Sequence, residues 1–249
     1  MIFTGNYCQN LLNSQKLVLV CDIDETLVNS LFVYHSVKHE KLNNIHYHKL
    51  SKEFEHEGFY VKLRPHLNEF LTKMSETYEL HAMSLGEKSY IKYIMKLIDP
   101  DNKFFHNRIN TREVIDNQQN KLTTLRSQFG QCDNMIVVID DRVDVWDHND
   151  RVVKVKPYEV FKNIKKTISE NRIAITGKTK NKIQNELENL TDNDNYLNKL
   201  QLILNKAHAN YFKQIYENKI IKPNFTNASN INLPKMEKIL TIMRLKGEI

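Results

Sequence analysis

The chain has 249 residues, 41% hydrophobic and 27% charged, which are proportions of a folded domain and exclude the disordered and membrane-spanning classes. Its 36 Lys and Arg against 30 Asp and Glu leave a formal charge of +6, which favours an anionic partner (nucleic acid, phosphorylated protein or phosphometabolite) without choosing among them. Cys8, Cys21 and Cys132 lack metal-ligand spacing, which suits a reduced compartment, and no apolar run approaches the roughly 20 residues a bilayer crossing needs.

In chain order, Met1 to Gln15 carry neither a charged n-region nor an apolar h-region, so no secretory leader is expected. Leu17 to Cys21 is an apolar run that reads as a buried strand, and it ends in two acids spaced i, i+2, Asp22 and Asp24, followed by Thr26. Both acids can turn toward one crevice where the strand bends into its loop. Packing alone does not explain them, because an unpaired buried charge costs several kcal/mol. Asn29 to Gly58 holds His35, His39, His46, His48 and His56 among aromatics. No third ligand with metal spacing stands out there, so a solvated flap is the default.

Strand and helix signals then alternate. Phe59 to Leu63 reads as a strand, Pro65 to Ser75 as a helix with proline in its first turn, Tyr78 to Met83 as a strand and Glu87 to Ile98 as a helix. Phe104 to Ile109 reads as extended and Lys121 to Phe129 as a short helix. Met135 to Ile139 is a second buried strand, tipped by Asp140 and Asp141, and Val152 to Val155 is a final strand. The alternation predicts an α/β fold with a parallel sheet and helices on both faces. Lys162 to Lys182 reads as a linker or short hairpin around Gly177. Leu197, Leu200, Leu204, Ala207, Tyr211 and Ile215 mark one apolar helix face, with Asp192 or Asn193 as its N-cap. Cys21 and Trp146 read as packing residues.

Asp22-x-Asp24-x-Thr26 resembles the first motif of the haloacid dehalogenase superfamily of phosphohydrolases. Phe59 to Pro65 and Ile139 to Trp146 resemble its narrower group that acts on the carboxy-terminal domain (CTD) of RNA polymerase II. Leu97 to Asp101 and Asn107 to Arg112 are similar to the TFIIF-associating branch rather than the small CTD phosphatases. The resemblance is close over residues 17 to 161 and weaker through Asp194-Asn195-Tyr196-Leu197. It implies a catalytic phosphatase domain over 1–165 and a linker with a helical extension over 166–249, and a BRCT domain would begin about where the chain stops at Leu245-Lys246-Gly247.

The resemblance also implies the chemistry. Asp22 is the nucleophile that forms an aspartyl-phosphate, and Asp24 is the general acid and base. Ser84, in place of the family's usual threonine, and Lys121 bind phosphoryl oxygens; Lys121 rather than Lys103 fits the third motif. Mg2+ is held by Asp22, the Asp24 carbonyl and Asp141, supported by Asp140 and Thr26. Arg64 and Arg112 face the substrate, although an ion pair is the plain alternative for each. The expected partner is the phosphorylated CTD of RNA polymerase II, with general transcription factors beside it, in the nucleus, with no membrane and no direct nucleic-acid site. A small-molecule phosphohydrolase of the same superfamily and a non-catalytic phosphoprotein-binding module remain as alternatives.

Overall fold

The structure is a computed structural model, and it describes residues 5–33, 44–49, 58–116, 120–170, 177–217 and 233–249. They form two compact units. The first combines Met1–Ile23, His66–Lys156 and Tyr196–Ile249; the second combines Asp24–Pro65 and Pro157–Asn195. Packing therefore does not divide at residue 165, the boundary expected from the linear sequence.

The first unit is built on a five-stranded, all-parallel sheet. Its strands are β1 (Leu17–Cys21), β5 (Tyr78–Met83), β6 (Ile109–Asn110), β7 (Ile136–Asp140) and β8 (Val152–Lys154), in the order β6-β5-β1-β7-β8. Every residue of β1 and β7 is buried, as parallel strands covered on both faces require. The crossovers are helical: α2 (Leu67–Thr77) before β5, α3 (Lys88–Ile98) after it, and α4 (Arg112–Asp116) and α5 (Lys121–Phe129) between β6 and β7. The extended run expected at 104–109 is reduced to the two residues of β6, because Asp99 turns the preceding segment. Its carboxylate accepts the main-chain N–H groups of Lys103, Phe104 and Phe105.

Two C-terminal helices belong to this unit. Helix α8 (Tyr196–Glu217) buries Leu197, Leu200, Leu204, Ala207, Tyr211 and Ile215, the face its periodicity marks, and the Tyr78 hydroxyl donates to the Leu204 carbonyl at 2.7 Å. Helix α9 (Met236–Leu245) follows; its Glu237 and Asp133 both pair with the buried Arg151 guanidinium. Helix α1 (Gly5–Asn13) is joined through a Cys8–Cys132 disulfide to the 3-10 turn ahead of β7, the two Cα atoms lying 5.4 Å apart. The expectation of reduced cysteines is thus corrected for this pair, which is 124 residues apart in sequence and has no local signal. Cys21 stays a buried free thiol.

The second unit has its own antiparallel sheet, β2 (Val28–Val33), β4 (Gly58–Leu63) and β3 (Ile45–Lys49), in that order. Phe59 to Leu63 is therefore a strand as expected, but in this sheet rather than the parallel one. Leu31, Val33 and Tyr60 pack with Phe161, with Ile164 of α6 (Lys162–Glu170) and with Ile183 and Leu187 of α7 (Gly177–Glu188). Lys162 to Lys182 is accordingly helical on both sides of residues 171–176, not a linker or hairpin. The N-cap expected at Asp192 or Asn193 is also corrected, since α8 begins at Tyr196. Asp192 instead accepts the Tyr158 hydroxyl and lies 3.8 Å from the Lys62 ammonium. Of the His-rich segment, His46 and His48 stand on β3; His35, His39 and His56 lie outside the described residues.

Candidate active site

The first unit gathers its acids where the middle strands end. Asp22 follows β1 directly, and its N–H donates to the Ile139 carbonyl of β7 at 3.0 Å, which carries the parallel register one residue past the strand. Asp140 is the last residue of β7, and Asp141 follows it. Carboxylate oxygens of Asp22, Asp140 and Asp141 lie within 4.8 Å of one another. Three carboxylates that close repel unless a cation sits among them.

Lys121 supplies one cation. It opens α5, whose start is fixed by the Asn120 side chain accepting the Thr123 N–H at 2.7 Å. From there its ammonium reaches Asp22 Oδ1 at 2.6 Å and Asp140 Oδ2 at 2.7 Å, with only 2% of the side chain exposed. Burial pushes the ammonium's pKa down, but the two carboxylates and their hydrogen bonds outweigh it, and the net displacement is upward. Lys103, the other lysine weighed for this role, is exposed and stands over the Phe104 ring.

Asp140 is held from three directions. Besides Lys121, the Trp146 indole N–H donates to its Oδ2 at 2.7 Å and the Arg142 main-chain N–H to its Oδ1 at 2.9 Å. The Lys121 ammonium also lies 5.4 Å from the centre of the Trp146 ring. Trp146 is fully buried, so the packing role read from sequence is present. Its grip on Asp140 was missed, because nothing in the local pattern distinguishes a core tryptophan with an indole partner from one without. Cys21, beside Asp22, is inert: burial first and the Asp22 charge second push its thiol far upward.

Ser84 follows β5, the strand paired with β1, and is buried. Its N–H donates to the Asn110 carbonyl at 3.0 Å, and its hydroxyl oxygen accepts the Gly86 N–H at 3.0 Å. A side chain at Gly86 would meet the Ile91 Cδ1 at 2.8 Å, which keeps this turn close to α3. Arg112 braces the same turn, its Nε donating to the Leu85 carbonyl at 2.7 Å while half of its side chain stays exposed.

Asp24 and Thr26 begin the second unit and are described within it. Glu25, between them, has a left-handed backbone with φ of 59°, uncommon for a residue with a side chain, and donates its N–H to the Val28 carbonyl at 2.7 Å. Thr26 is fully buried. Arg64, expected at the substrate, is enclosed: its side chain is 0% exposed, Nε and Nη2 hold the two oxygens of Asp194 at 2.9 and 3.1 Å, and Nη1 donates to the Thr26 carbonyl. The Tyr158 ring lies 5.4 Å from that guanidinium. A guanidinium so engaged serves the second unit's own structure, so the ion-pair alternative is the one the geometry displays.

The Asp22, Asp140 and Asp141 cluster suits a hard divalent cation on its donor chemistry, since all three offer oxygen and none offers nitrogen or sulfur.

Comparison with known proteins places these residues in context. A model of the NLI interacting factor-like phosphatase family matches residues 17–175. The RNA polymerase II C-terminal domain phosphatase of Caenorhabditis elegans is 32% identical over 206 residues, which cover 82% of this chain and 30% of that protein. Its human counterpart is 33% identical over 153 residues, covering 61% of this chain and 16% of that protein. The chain thus spans a third or less of the length of these relatives. Among solved structures, that of an essential RNA polymerase II CTD phosphatase superposes with a TM-score of 0.74 at 28% identity, covering 97% of this chain and 74% of that one. A fission yeast CTD phosphatase variant bound to beryllium fluoride gives 0.75 at 26% identity, with the same coverage.

Proposed function

The chain belongs to the NLI interacting factor-like phosphatase family, and from that premise we propose that it is a magnesium-dependent protein serine/threonine phosphatase acting on the phosphorylated C-terminal domain of RNA polymerase II. The observation that carries the reading is the buried Lys121 ammonium bridging Asp22 and Asp140 beside Asp141. Such a site keeps an anionic nucleophile charged while offering positive charge to a phosphate.

Asp22 attacks phosphorus through a carboxylate oxygen, and the bond from phosphorus to the seryl oxygen breaks. Asp24, two residues along the chain, gives that oxygen its proton, and the product is an aspartyl-phosphate. Water then attacks the same phosphorus, Asp24 takes back a proton, and the bond between phosphorus and Asp22 breaks to release inorganic phosphate. Lys121 and the Ser84 hydroxyl stabilise charge on the phosphoryl oxygens, where positioning and electrostatics supply most of the rate in phosphoryl transfer. The Asp22 carboxylate, the Asp24 main-chain carbonyl and the Asp141 carboxylate would hold magnesium, which would add neutralisation of the substrate dianion. Trp146 and Lys121 orient Asp140, and Arg112 is the half-exposed arginine at the Ser84 turn, 3.7 Å from the Glu87 carboxylate. The reading implies a nuclear protein that meets its substrate in the company of general transcription factors.

The test is a comparison of kcat/KM for a multi-repeat phospho-CTD peptide, free phosphoserine and a sugar phosphate, each with magnesium and with chelator, for the wild type and Asp22→Asn. The proposal expects the peptide to lead by at least tenfold, chelation to stop turnover, and Asp22→Asn to lose several orders of magnitude. Equal efficiency on free phosphoserine would transfer the chain to the metabolite phosphatases. A well-folded Asp22→Asn with near-normal turnover would refute the nucleophile.

A further inference from the structure

A second feature of the first unit lies on the far side of the Ser84 turn. Helix α3 and the segment from Pro100 to Val114 enclose a groove of about 640 Å³. One wall is a stripe of lysines, Lys88, Lys92 and Lys96, all exposed and all lining the groove. Their i, i+4, i+8 spacing sets them about 6 Å apart along one side of the helix. The floor is apolar: Met95 and Ile109 line it, and Val114 is 39% exposed.

Three lysine charges outnumber the carboxylates of this groove by one. Two carboxylates line it, Asp99 and Glu113, and both are committed to main-chain N–H groups: Asp99 to those of residues 103–105, Glu113 to that of Lys88. Among the described residues none of the three lysine ammonium groups forms an ion pair. Lys88 moreover occupies the first position of α3, where the helix dipole disfavours a cation by a few tenths of a kcal/mol. A solvated charged face would account for the lysines, but not for an apolar floor left open beneath them.

We propose that this groove is a docking site for an extended polypeptide carrying several phosphate groups, namely a stretch of the phosphorylated substrate outside the repeat being hydrolysed. Phosphates lie along Lys88, Lys92 and Lys96, and small apolar side chains of the same segment cover Met95, Ile109 and Val114. The groove begins at Lys88, four residues beyond Ser84, and Arg112, which braces the Ser84 turn, directly precedes its Glu113. A neighbouring stretch of one polymer can therefore occupy the groove while another phosphate sits at Asp22. The inference rests on the phosphoprotein phosphatase reading and specifies how that enzyme gains affinity for a multiply phosphorylated chain.

The experiment compares wild type with the triple variant Lys88→Glu, Lys92→Glu, Lys96→Glu and with Lys88→Arg, Lys92→Arg, Lys96→Arg, each confirmed folded by circular dichroism and melting. Three substrates are used: p-nitrophenyl phosphate, a peptide with one phosphoserine, and a long peptide with phosphoserine in several repeats. The Glu variant should raise KM for the long peptide at least tenfold, leave kcat for it unchanged, and leave the other two substrates within twofold. The Arg variant should match wild type. Rising salt should erode the wild-type advantage on the long peptide and not the residual activity of the Glu variant. Unchanged KM for the long peptide in the Glu variant, or equal losses on all three substrates, overturns the docking site while leaving the phosphatase reading intact. A wild type that hydrolyses p-nitrophenyl phosphate but neither peptide overturns both.

Discussion

Replacing Lys121 by methionine tests the site at its centre. Methionine matches the lysine stem as far as Cε, with sulfur in place of Cδ, and lacks the ammonium, so Asp22 and Asp140 remain buried with Asp141 within 4.8 Å and no cation between them. Each contact, 2.6 and 2.7 Å, corresponds to about 6 kcal/mol of Coulomb attraction at an effective dielectric constant of 20, most of which offsets the desolvation of the charges. Removing one member of a buried pair generally costs about 3–5 kcal/mol. Asp140 retains the Trp146 and Arg142 N–H donors, so the stranded charge falls chiefly on Asp22, and about 3–5 kcal/mol is the expected loss at pH 8 in chelator. The single tryptophan, Trp146, reports it by fluorescence in urea titrations, since its ring stands 5.4 Å from the ammonium. The pH dependence has a definite sign. In the wild type the Lys121 pKa is displaced upward, so its stabilisation is complete below about 10.5 and fades only as pH rises through the folded-state value. Between pH 8 and 5 Lys121 therefore stays protonated and its contribution is undiminished. Lys103→Met, on an exposed side chain, should stay within about 0.5 kcal/mol. A Lys121→Met midpoint no lower than that control would refute the reasoning.

Trp146→Phe keeps an aromatic side chain but removes the N–H to Asp140 and part of the buried bicycle, so urea unfolding should show a loss of at least about 1.5–3 kcal/mol together with reduced turnover. Arg64→Met strands Asp194 and should cost about 3–5 kcal/mol, part of it recovered in a double variant with Asp194→Asn; full additivity in the cycle would show that the two do not interact. Burial raises the Glu79 carboxyl, but hydrogen bonds from His81 and Tyr7 and the Arg108 charge bring it down to about 2. Its stabilisation is therefore present above about pH 4.5 and lost as pH falls toward 2, and thermal melts of Glu79→Gln should lose less than wild type across that window. Magnesium at 100 times its dissociation constant should stabilise the wild type by about 2.7 kcal/mol, and Asp141→Asn should abolish most of that shift in a melting titration.

The parallel sheet was legible because β1 and β7 are buried along their whole length and so read as unbroken apolar runs, each ending in acids that no core would otherwise carry. Lys121 was legible by type and place, but its simultaneous grip on Asp22 and Asp140 is a fact of three dimensions. The second unit was the harder part. Strand β3 mixes half-buried and exposed residues with no apolar run, and α6 buries little besides Ile164 and Thr167, so lysine-rich sequence masked two helices as a linker. The pairing of Arg64 was hidden for a different reason. The arginine-proline pair is conspicuous locally, whereas its partner Asp194 stands 130 residues away, and no pattern in one sequence joins them. The same distance problem hid the pairing of Cys8 with Cys132.

The place of β1 between β5 and β7 has a consequence during synthesis. Its five residues emerge first, and all of them end fully buried. Neither hydrogen-bonding edge can be closed until Tyr78 to Met83 and then Ile136 to Asp140 have been made. At about 5–20 residues per second, the first edge waits roughly 3–12 seconds and the second roughly 6–24 seconds on the ribosome. Through that interval Leu17 to Cys21 is an uncharged, β-prone pentamer with both edges open, the kind of segment that seeds intermolecular pairing. Slowing elongation after residue 21 should therefore increase aggregation of the nascent chain, even though the finished protein hides the strand entirely.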